Sequence, residues 1–144
     1  MKIEEISSQW AIDSHINESS LISEASKIPK LHHKYYSILM DERLLQIKLK
    51  SRHDELAVVL EGFFLKTLTG DELNQWGLVY SDKKVLRTDV PRHVETHPML
   101  VELKLKIGVQ NEKIKFLEDV IKMVHAMNYT IKNIIEYKKF LAGQ

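Results

Sequence analysis

Two histidines in the segment HVETH come nearest to a metal-binding pattern. His93 and His97 are four positions apart, so that on a helix both imidazoles would project from one face. Zinc proteases need a glutamate directly after the first histidine, but Val94 follows His93 here, and no third ligand is signalled. We interpret the pair as an exposed helix start beside Pro98 and keep a zinc hydrolase as a hypothesis that bound zinc would support.

No other stretch has a catalytic pattern. The sequence contains no cysteine, which excludes disulfides, thiolate metal sites and a cysteine nucleophile. It also lacks a nucleophile elbow, a glycine-rich phosphate loop and a paired-carboxylate signature. His32 and His33 are adjacent and would point to different faces of a helix. We therefore expect a protein without enzymatic activity, with no metal and no other cofactor.

Two clusters of basic residues could contact the phosphates of a nucleic acid. The first, in RLLQIKLKSRH, comprises Arg43, Lys48, Lys50 and Arg52. At about 100° per residue, Arg43 and Lys50 share one side of a helix, while the other two share the opposite side. Because acidic residues flank the cluster, a solvated and ion-paired helix face is the stronger local interpretation.

The second cluster, in DKKVLRT, lies on a predicted loop and comprises Lys83, Lys84 and Arg87. The formal net charge of the whole chain is only +1, and residues 99–144 hold a mild excess, with eight lysines against five acidic residues. One copy is therefore far from the basic stripe of a strong DNA-binding protein. If nucleic acid is the ligand, several copies must pool their charge, because the electrostatic attraction scales with the number of phosphates neutralised.

Helices must position these side chains, because the composition is that of an all-α protein. Apolar residues make up 44% and charged residues 28% of the chain, with five glycines and three prolines. The length predicts a single domain over residues 1–144. Residues 1–30 are expected to hold two short helices, the first an arm over residues 3–10 and the second ending sharply at Pro29.

A long helix is expected over residues 31–67. Its apolar positions recur at steps of three, four or seven: Leu31, Tyr35, Ile38, Leu45, Leu49, Leu56 and Phe63. Tyr35, Tyr36, Phe63 and Phe64 could stack on nucleobases, but aromatic residues at helical spacing are more typical of a core. Residues 68–98 are expected to connect the long helices, with a short turn of helix after the bend at Gly70 and then a flexible stretch over residues 78–98.

Helical patterns over residues 99–141 complete a long helical hairpin. A heptad seam with one polar gap, Gln110, consists of Leu100, Leu103, Ile107, Ile114, Leu117, Ile121 and Val124. A break at Asn128 and Tyr129, with Thr130 as the cap, should begin a last helix that Gly143 ends. That helix carries apolar residues around more than one face: Ile131, Ile134, Ile135, Tyr137, Phe140 and Leu141. So wide an apolar surface fills an intramolecular groove or joins a neighbouring copy.

Nothing predicts a membrane segment or an export signal. No stretch approaches the roughly 18 apolar residues that a membrane span needs. The first residues also lack a basic leader followed by an apolar run. We expect a cytoplasmic protein that has no membrane partner.

Four segments, taken in order, carry a resemblance to a known family. They are MKIEEISSQWAIDSHI, LHHKYYSIL at the start of the long helix, FFLKTLTGDEL at its end, and TIKNIIEYKKFLAG. In these segments and in total length the chain resembles the UvsY family, the recombination mediator proteins of tailed phages. The last two segments are the most specific, and none is a short catalytic motif.

The resemblance implies a non-enzymatic protein that assembles into a ring-like homo-oligomer, a heptamer, through its last helix. Proteins of this kind bind single-stranded DNA, weaken the hold of the phage single-strand-binding protein, and help the phage recombinase to nucleate its filament. It also implies that the protein acts in the cytoplasm of the infected bacterial host. The alternative is a structural helical oligomer or adaptor in phage assembly that binds no nucleic acid.

One element departs from the family pattern. Relatives tend to carry Leu-Lys-x-Arg just ahead of an aromatic pair, and that element resembles part of their DNA surface. In this sequence VVLEG precedes Phe63 and Phe64, and the nearest Leu-Lys-x-Arg stands upstream at residues 49–52. Either the basic surface has moved or it is supplied elsewhere, and the substitutes to test first are Lys66, Lys83, Lys84 and Arg87.

Overall fold

The computed structural model describes residues 1–143 and contains no β-strand in that range. Its helices are α1 (Ile3–Asp13), α2 (Leu21–Leu65), α3 (Gly70–Trp76), α4 (Val90–Thr96) and α5 (Pro98–Leu141), with 3₁₀ turns at Glu18–Ser20 and Arg87–Asp89. The all-α class is therefore confirmed. The contacts divide the chain into two compact units: unit 1 comprises Met1–Arg43 and Glu112–Gln144, and unit 2 comprises Leu44–Asn111. The assignment of residues 1–144 to one domain stays a prediction.

Unit 1 is built on an antiparallel pair of helices. Glu42 on α2 forms an ion pair with Lys113 on α5 at 3.3 Å, and ten residues earlier the ring of His32 lies 5.1 Å from that of His125. The side chains buried between the two helices include Leu117, a position of the predicted seam, and Leu39, the neighbour of the predicted position Ile38. Burial of this apolar surface is the main favourable term in the folding of such a pair.

Helix α1, which the sequence analysis predicted as an arm over residues 3–10, is docked on the core of unit 1. Ile6 is completely buried, and the ring of Trp10 meets that of Tyr35 edge to face at 5.3 Å. Asp13 accepts hydrogen bonds from the Tyr35 hydroxyl at 2.7 Å and from Lys34 Nζ at 2.6 Å. Burial raises the pKa of Asp13, but the hydrogen bonds from Lys34 and Tyr35 outweigh it and leave that pKa lowered. Burial and the same carboxylate raise the pKa of Tyr35 far above its ordinary value.

Helix α2 continues through Pro29, so the predicted break and the start of the long helix at residue 31 are wrong. A proline inside a helix removes one backbone hydrogen bond and costs about 3 kcal/mol. Ile28 and Tyr35, seven residues apart, are both buried in the core of unit 1. Burial of apolar side chains on both sides of Pro29 offsets this local penalty.

Unit 2 holds a second antiparallel pair, which confirms the helical hairpin predicted from the periodicity. Gln46 Nε2 on α2 donates to Asn111 Oδ1 on α5 at 2.6 Å. Leu60, later on α2, packs in one buried cluster with Leu100, earlier on α5. The seam of α5 is buried or half-buried as predicted, but on α2 Leu45 is exposed.

The segment between α2 and α5 is part of unit 2, and residues 78–98, which were expected to be flexible, contribute a helix and buried side chains to it. It contains α3 as predicted, and also α4, which the sequence did not reveal. Leu78, Val90 and Val94 of this segment are buried in the core of unit 2. Val90 and Val94 are one helical turn apart on α4, and Leu78 lies twelve residues earlier. So few positions are too sparse for a periodic pattern to be recognised in the sequence.

The bend after α2 lies at Lys66 and not at Gly70. Lys66 has a positive φ of 63°. This is the left-handed conformation that a glycine usually adopts just after the end of a helix. Its N–H donates to the Phe63 carbonyl oxygen, and the Thr67 N–H donates to that of Gly62 at 2.9 Å. Gly70 instead lies inside α3, which begins with a capping box in which Thr69 and Glu72 bond each other's backbone N–H.

Helix α5 is also longer than predicted, and the break at Asn128 and Tyr129 is wrong. The Thr130 hydroxyl donates to the Ala126 carbonyl oxygen within the helix and does not cap a new one. Met127 and Ile131, four residues apart, are both buried in unit 1, so the apolar stripe runs straight through the predicted break. Among residues 1–143 no helix is long and apolar enough to cross a membrane.

Candidate nucleic-acid interface

Seven of the eight predicted DNA-binding residues lie in unit 2, and Arg43 lies in unit 1. Arg43 reaches Glu118 at 3.3 Å, so its charge is partly neutralised within the chain. Lys48 and Lys50 are exposed on α2. Two residues apart on a helix, they point in nearly opposite directions and cannot follow one strand side by side. The first basic cluster is therefore not a single surface.

Arg52 lies over an aromatic ring. Its guanidinium carbon is 4.0 Å from the centroid of the Trp76 ring, within the range of a cation–π interaction. Its other partner is Glu55, one helical turn away at 3.5 Å, and both side chains are 56% exposed. An exposed ion pair of this kind contributes little to stability, so Arg52 can leave Glu55 for a phosphate at low cost.

Lys66 joins the end of α2 to the loop that follows α3. Its Nζ donates to the carbonyl oxygen of Ser81 and lies 5.4 Å from the ring of Tyr80 and 5.7 Å from that of Phe63. Lys66 as a whole is exposed. Lys66 is thus a cation held in place by a carbonyl and two ring faces.

Lys83, Lys84 and Arg87 are exposed on the same loop, as the sequence predicted. The Lys83 N–H donates to the Ser81 hydroxyl at 3.3 Å, and Arg87 begins the 3₁₀ turn before α4. The loop cluster therefore follows directly after the residues that Lys66 contacts. We take Arg52, Lys66 and the three loop cations as the candidate basic surface of unit 2.

Phe63 and Phe64 are half-buried against the core of unit 2, which agrees with the core role expected for aromatic residues at helical spacing. The two rings meet at 5.2 Å and pack against the buried cluster. His93 lies 5.4 Å and His97 6.1 Å from the ring of Phe64. Within residues 1–143 no group of three or more histidine and acidic side chains is placed to hold a metal ion.

His97 caps the start of α5. Its Nδ1 accepts a hydrogen bond from the Met99 N–H at 3.2 Å, and Pro98 occupies the first position of the helix. Burial lowers the pKa of His97 below its ordinary value of 6.5. The imidazole is therefore kept neutral and available as an acceptor.

We expect the stability of the protein to fall as the pH drops below 6.5, and His97→Asn to reduce that fall. Between its lowered folded pKa and 6.5, His97 binds more protons in the unfolded chain, so stability rises with pH across that window. Asparagine keeps a cap acceptor worth about 1 kcal/mol and does not titrate. Urea denaturation at pH 7.5 and 5 measures the effect. His33→Asn, at an exposed position, is the control, and an equal fall in His97→Asn and wild type would contradict the prediction.

The predicted assembly residues at the end of α5 divide into two sets. Ile131 is 3% exposed and packs inside unit 1. Tyr137, Phe140 and Leu141 are each more than 60% exposed, while Ile134 and Ile135 are partly exposed. Lys138 Nζ donates to the Glu18 carbonyl oxygen at 2.8 Å and fixes one side of the helix end. A cavity of about 460 Å³ beside this contact is lined by Ile134, Tyr137 and Leu141 among others.

Trp76 is half-exposed and Tyr80 is exposed beside the basic surface, and sequence reasoning did not single them out. A signal for Trp76 was present in TGDELNQWG, where Thr69 and Glu72 have the spacing of a capping box and Gly77 ends the short helix. The short turn of helix predicted for this stretch is α3, which ends at Trp76.

Comparison with known proteins identifies the family. The profile described as "Recombination, repair and ssDNA binding protein UvsY" matches residues 9–144. The chain belongs to the UvsY family. No curated protein matches it in sequence.

The fold of this UvsY-family chain is similar to that of solved structures. Two crystal forms of the bacteriophage T4 recombination mediator protein UvsY, lattice types IV and II, each superpose with a TM-score of 0.83. The sequence identities are 12% and 13%, and the matches cover 97% and 99% of this chain and 99% and 98% of the respective T4 chains. At such low identity the likeness establishes the fold alone. The UvsY family model supports a general role in recombination and single-stranded DNA binding.

Proposed function

We propose that this UvsY-family protein is a phage recombination mediator that binds single-stranded DNA and helps load a recombinase onto DNA covered by a single-strand-binding protein. The observation that supports it most is the family match over residues 9–144. In this role the protein acts without enzymatic activity, in the cytoplasm of the infected bacterial host. Its partners are single-stranded DNA, the phage recombinase, the phage single-strand-binding protein and further copies of itself.

Because its net charge is so small, the chain must assemble into an oligomer to bind single-stranded DNA tightly. At +1 per chain, one copy attracts a polyanion weakly, although unit 2 carries an exposed group of cations. A ring-like homo-oligomer, which we propose to be a heptamer, presents that group once per copy to a single strand. Multivalent contact can raise overall affinity by factors of about 10² to 10⁴ without any new type of interaction. A strand bent around such a ring is also a poorer ligand for a protein that requires it extended.

Binding of a fluorescent thymidine oligonucleotide at several salt concentrations tests the proposal. We expect affinity to fall steeply with salt, because each phosphate neutralised contributes about −0.7 to the slope of log K against log salt for single strands. A duplex of the same sequence is the control for strand preference. If the protein is instead a structural adaptor with no nucleic-acid ligand, it should bind the oligonucleotide at no salt concentration. That result would refute the proposed function.

A further inference from the structure

We infer, building on the proposed binding of single-stranded DNA, that Trp76 and Tyr80 stack on nucleobases and that Arg52 and Lys66 hold the adjacent phosphates. Stacking on aromatic rings is sequence-tolerant, because every base has a π-face. Phe63 and Phe64 are half-buried, as Trp76 is, but their rings contact each other and the rings of His93 and His97. The ring of Trp76 instead lies under an exposed guanidinium, and Tyr80 is 61% exposed.

Trp76 contacts both the core of unit 2 and an exposed cation. Its side chain packs against the buried cluster of unit 2, which fixes the plane of the indole. The guanidinium of Arg52 lies over the ring at 4.0 Å, where a base would stack. Since the remaining bond of Arg52 is an exposed pair with Glu55, a base can displace the guanidinium, and the released charge is then free to bind a phosphate.

Tyr80 repeats this arrangement in a more open position. Its side chain is 61% exposed, and the ammonium of Lys66 lies beside the ring at 5.4 Å. Lys66 adopts a positive φ, a conformation that glycine would adopt with less strain. Strained residues of this kind cluster at functional sites. A lysine at this bend places an ammonium next to Tyr80, which a glycine could not do.

The loop between the two rings is held at fixed points. Gly77, with φ of 66°, ends α3, and the Leu78 N–H donates to the Leu73 carbonyl oxygen at 2.9 Å. Leu78 is buried, whereas Tyr80 projects from the surface. Four residues of chain span at most about 14 Å, and stacked nucleotides rise about 3.4 Å each. One short single strand can therefore reach both rings, with Lys83 and Lys84 following on the same loop.

Stacking and charge make different predictions for the salt dependence of binding. Removing a ring should lower affinity at every salt concentration and leave the slope of log K against log salt unchanged. Removing a cation should reduce the slope itself. A strand without bases should be insensitive to the rings and fully sensitive to the cations.

Tyr80→Ala in the full-length protein tests the assignment, with Tyr80→Phe as the matched control that keeps the ring. For a thymidine oligonucleotide we expect Tyr80→Ala to bind about 5- to 100-fold more weakly at an unchanged salt slope, and Tyr80→Phe to bind as wild type. For an abasic phosphodiester strand of equal length, the two variants and wild type should bind alike. Wild-type affinity of Tyr80→Ala for the thymidine strand would overturn the role of Tyr80.

Trp76 is tested without substituting it. The chain has two tryptophans, so Trp10→Phe leaves Trp76 as the one reporter. We expect its fluorescence to be quenched when the thymidine strand saturates the protein, and to change little with the abasic strand. Saturation without quenching would overturn the stacking assignment and leave the proposed function standing. If wild type binds neither strand at low salt, the proposed function itself fails and the stacking assignment fails with it.

Discussion

Replacing Ile135 and Phe140 by serine is expected to split the homo-oligomer into smaller species and to abolish avid binding of DNA. Phe140 is 74% exposed and Ile135 is 37% exposed, so a neighbouring copy can cover most of Phe140 and the open part of Ile135. Fully burying an apolar side chain of this size is worth about 1.5–3 kcal/mol. Losing most of that contribution at Phe140 and part of it at Ile135 should weaken subunit association roughly a hundredfold. Light scattering measures the mass, and oligonucleotide binding measures the avidity.

The control for this pair is Glu136→Ser with Lys139→Ser. These two residues are exposed on the same stretch of α5, and their joint replacement preserves the net charge. It should leave both mass and DNA affinity unchanged. Because Ile131 and Met127 keep this half of α5 in the core of unit 1, the serine variant should remain helical. An unaltered mass in the Ile135 and Phe140 variant would remove the end of α5 from the assembly interface.

The long helices could be predicted because burial along them is periodic. Leu100, Ile114, Leu117 and Val124 were assigned to one seam by spacing, and all four are buried. Such a seam can be recognised without knowing the partner helix, since any partner helix covers the same apolar stripe. The antiparallel pairing in each unit then follows from two long helices joined by a shorter segment.

Helix ends were predicted less well, because local signals compete with burial that the sequence does not reveal. Pro29 and the pair Asn128 and Tyr129 are ordinary helix breakers or boundary residues, yet both lie inside helices. In each case buried residues on either side share one stripe, as Met127 and Ile131 do. Conversely, Lys66 ends a helix in a conformation that sequence propensities assign to glycine.

The candidate site could be predicted only in part, because its contacts join residues that are far apart in the sequence. The basic residues were found by type, since exposed lysine and arginine are the usual ligands of phosphate. The contact of Arg52 with Trp76 joins residues 24 positions apart and depends on how α3 packs against α2. No pattern in either segment indicates the other. The contact of Lys66 with Tyr80 depends in the same way on the anchoring of Leu78 in the core.

Replacing Lys83, Lys84 and Arg87 by alanine is expected to lower the affinity for single-stranded DNA at least about tenfold at physiological salt. If each contacts a phosphate, the slope of log K against log salt should become shallower by about 2, at about 0.7 per contact. The three residues are exposed on the loop that carries Tyr80, so their loss should not disturb the folded core. The oligomer mass should stay the same, which separates this variant from the one at the end of α5.

Two further variants decide where the basic surface lies. Lys115, Lys122 and Lys132 are exposed on α5, and their replacement by alanine removes the same charge from unit 1. An equal loss of affinity there would mean that net charge governs binding and that no loop surface exists. Replacing Lys48, Lys50 and Arg52 should also lower affinity, but less, because the two lysines face opposite ways on α2 and cannot grip one strand together. If this helix variant loses more affinity than the loop variant, the strand follows α2, and the loop cations are solvated side chains without a ligand.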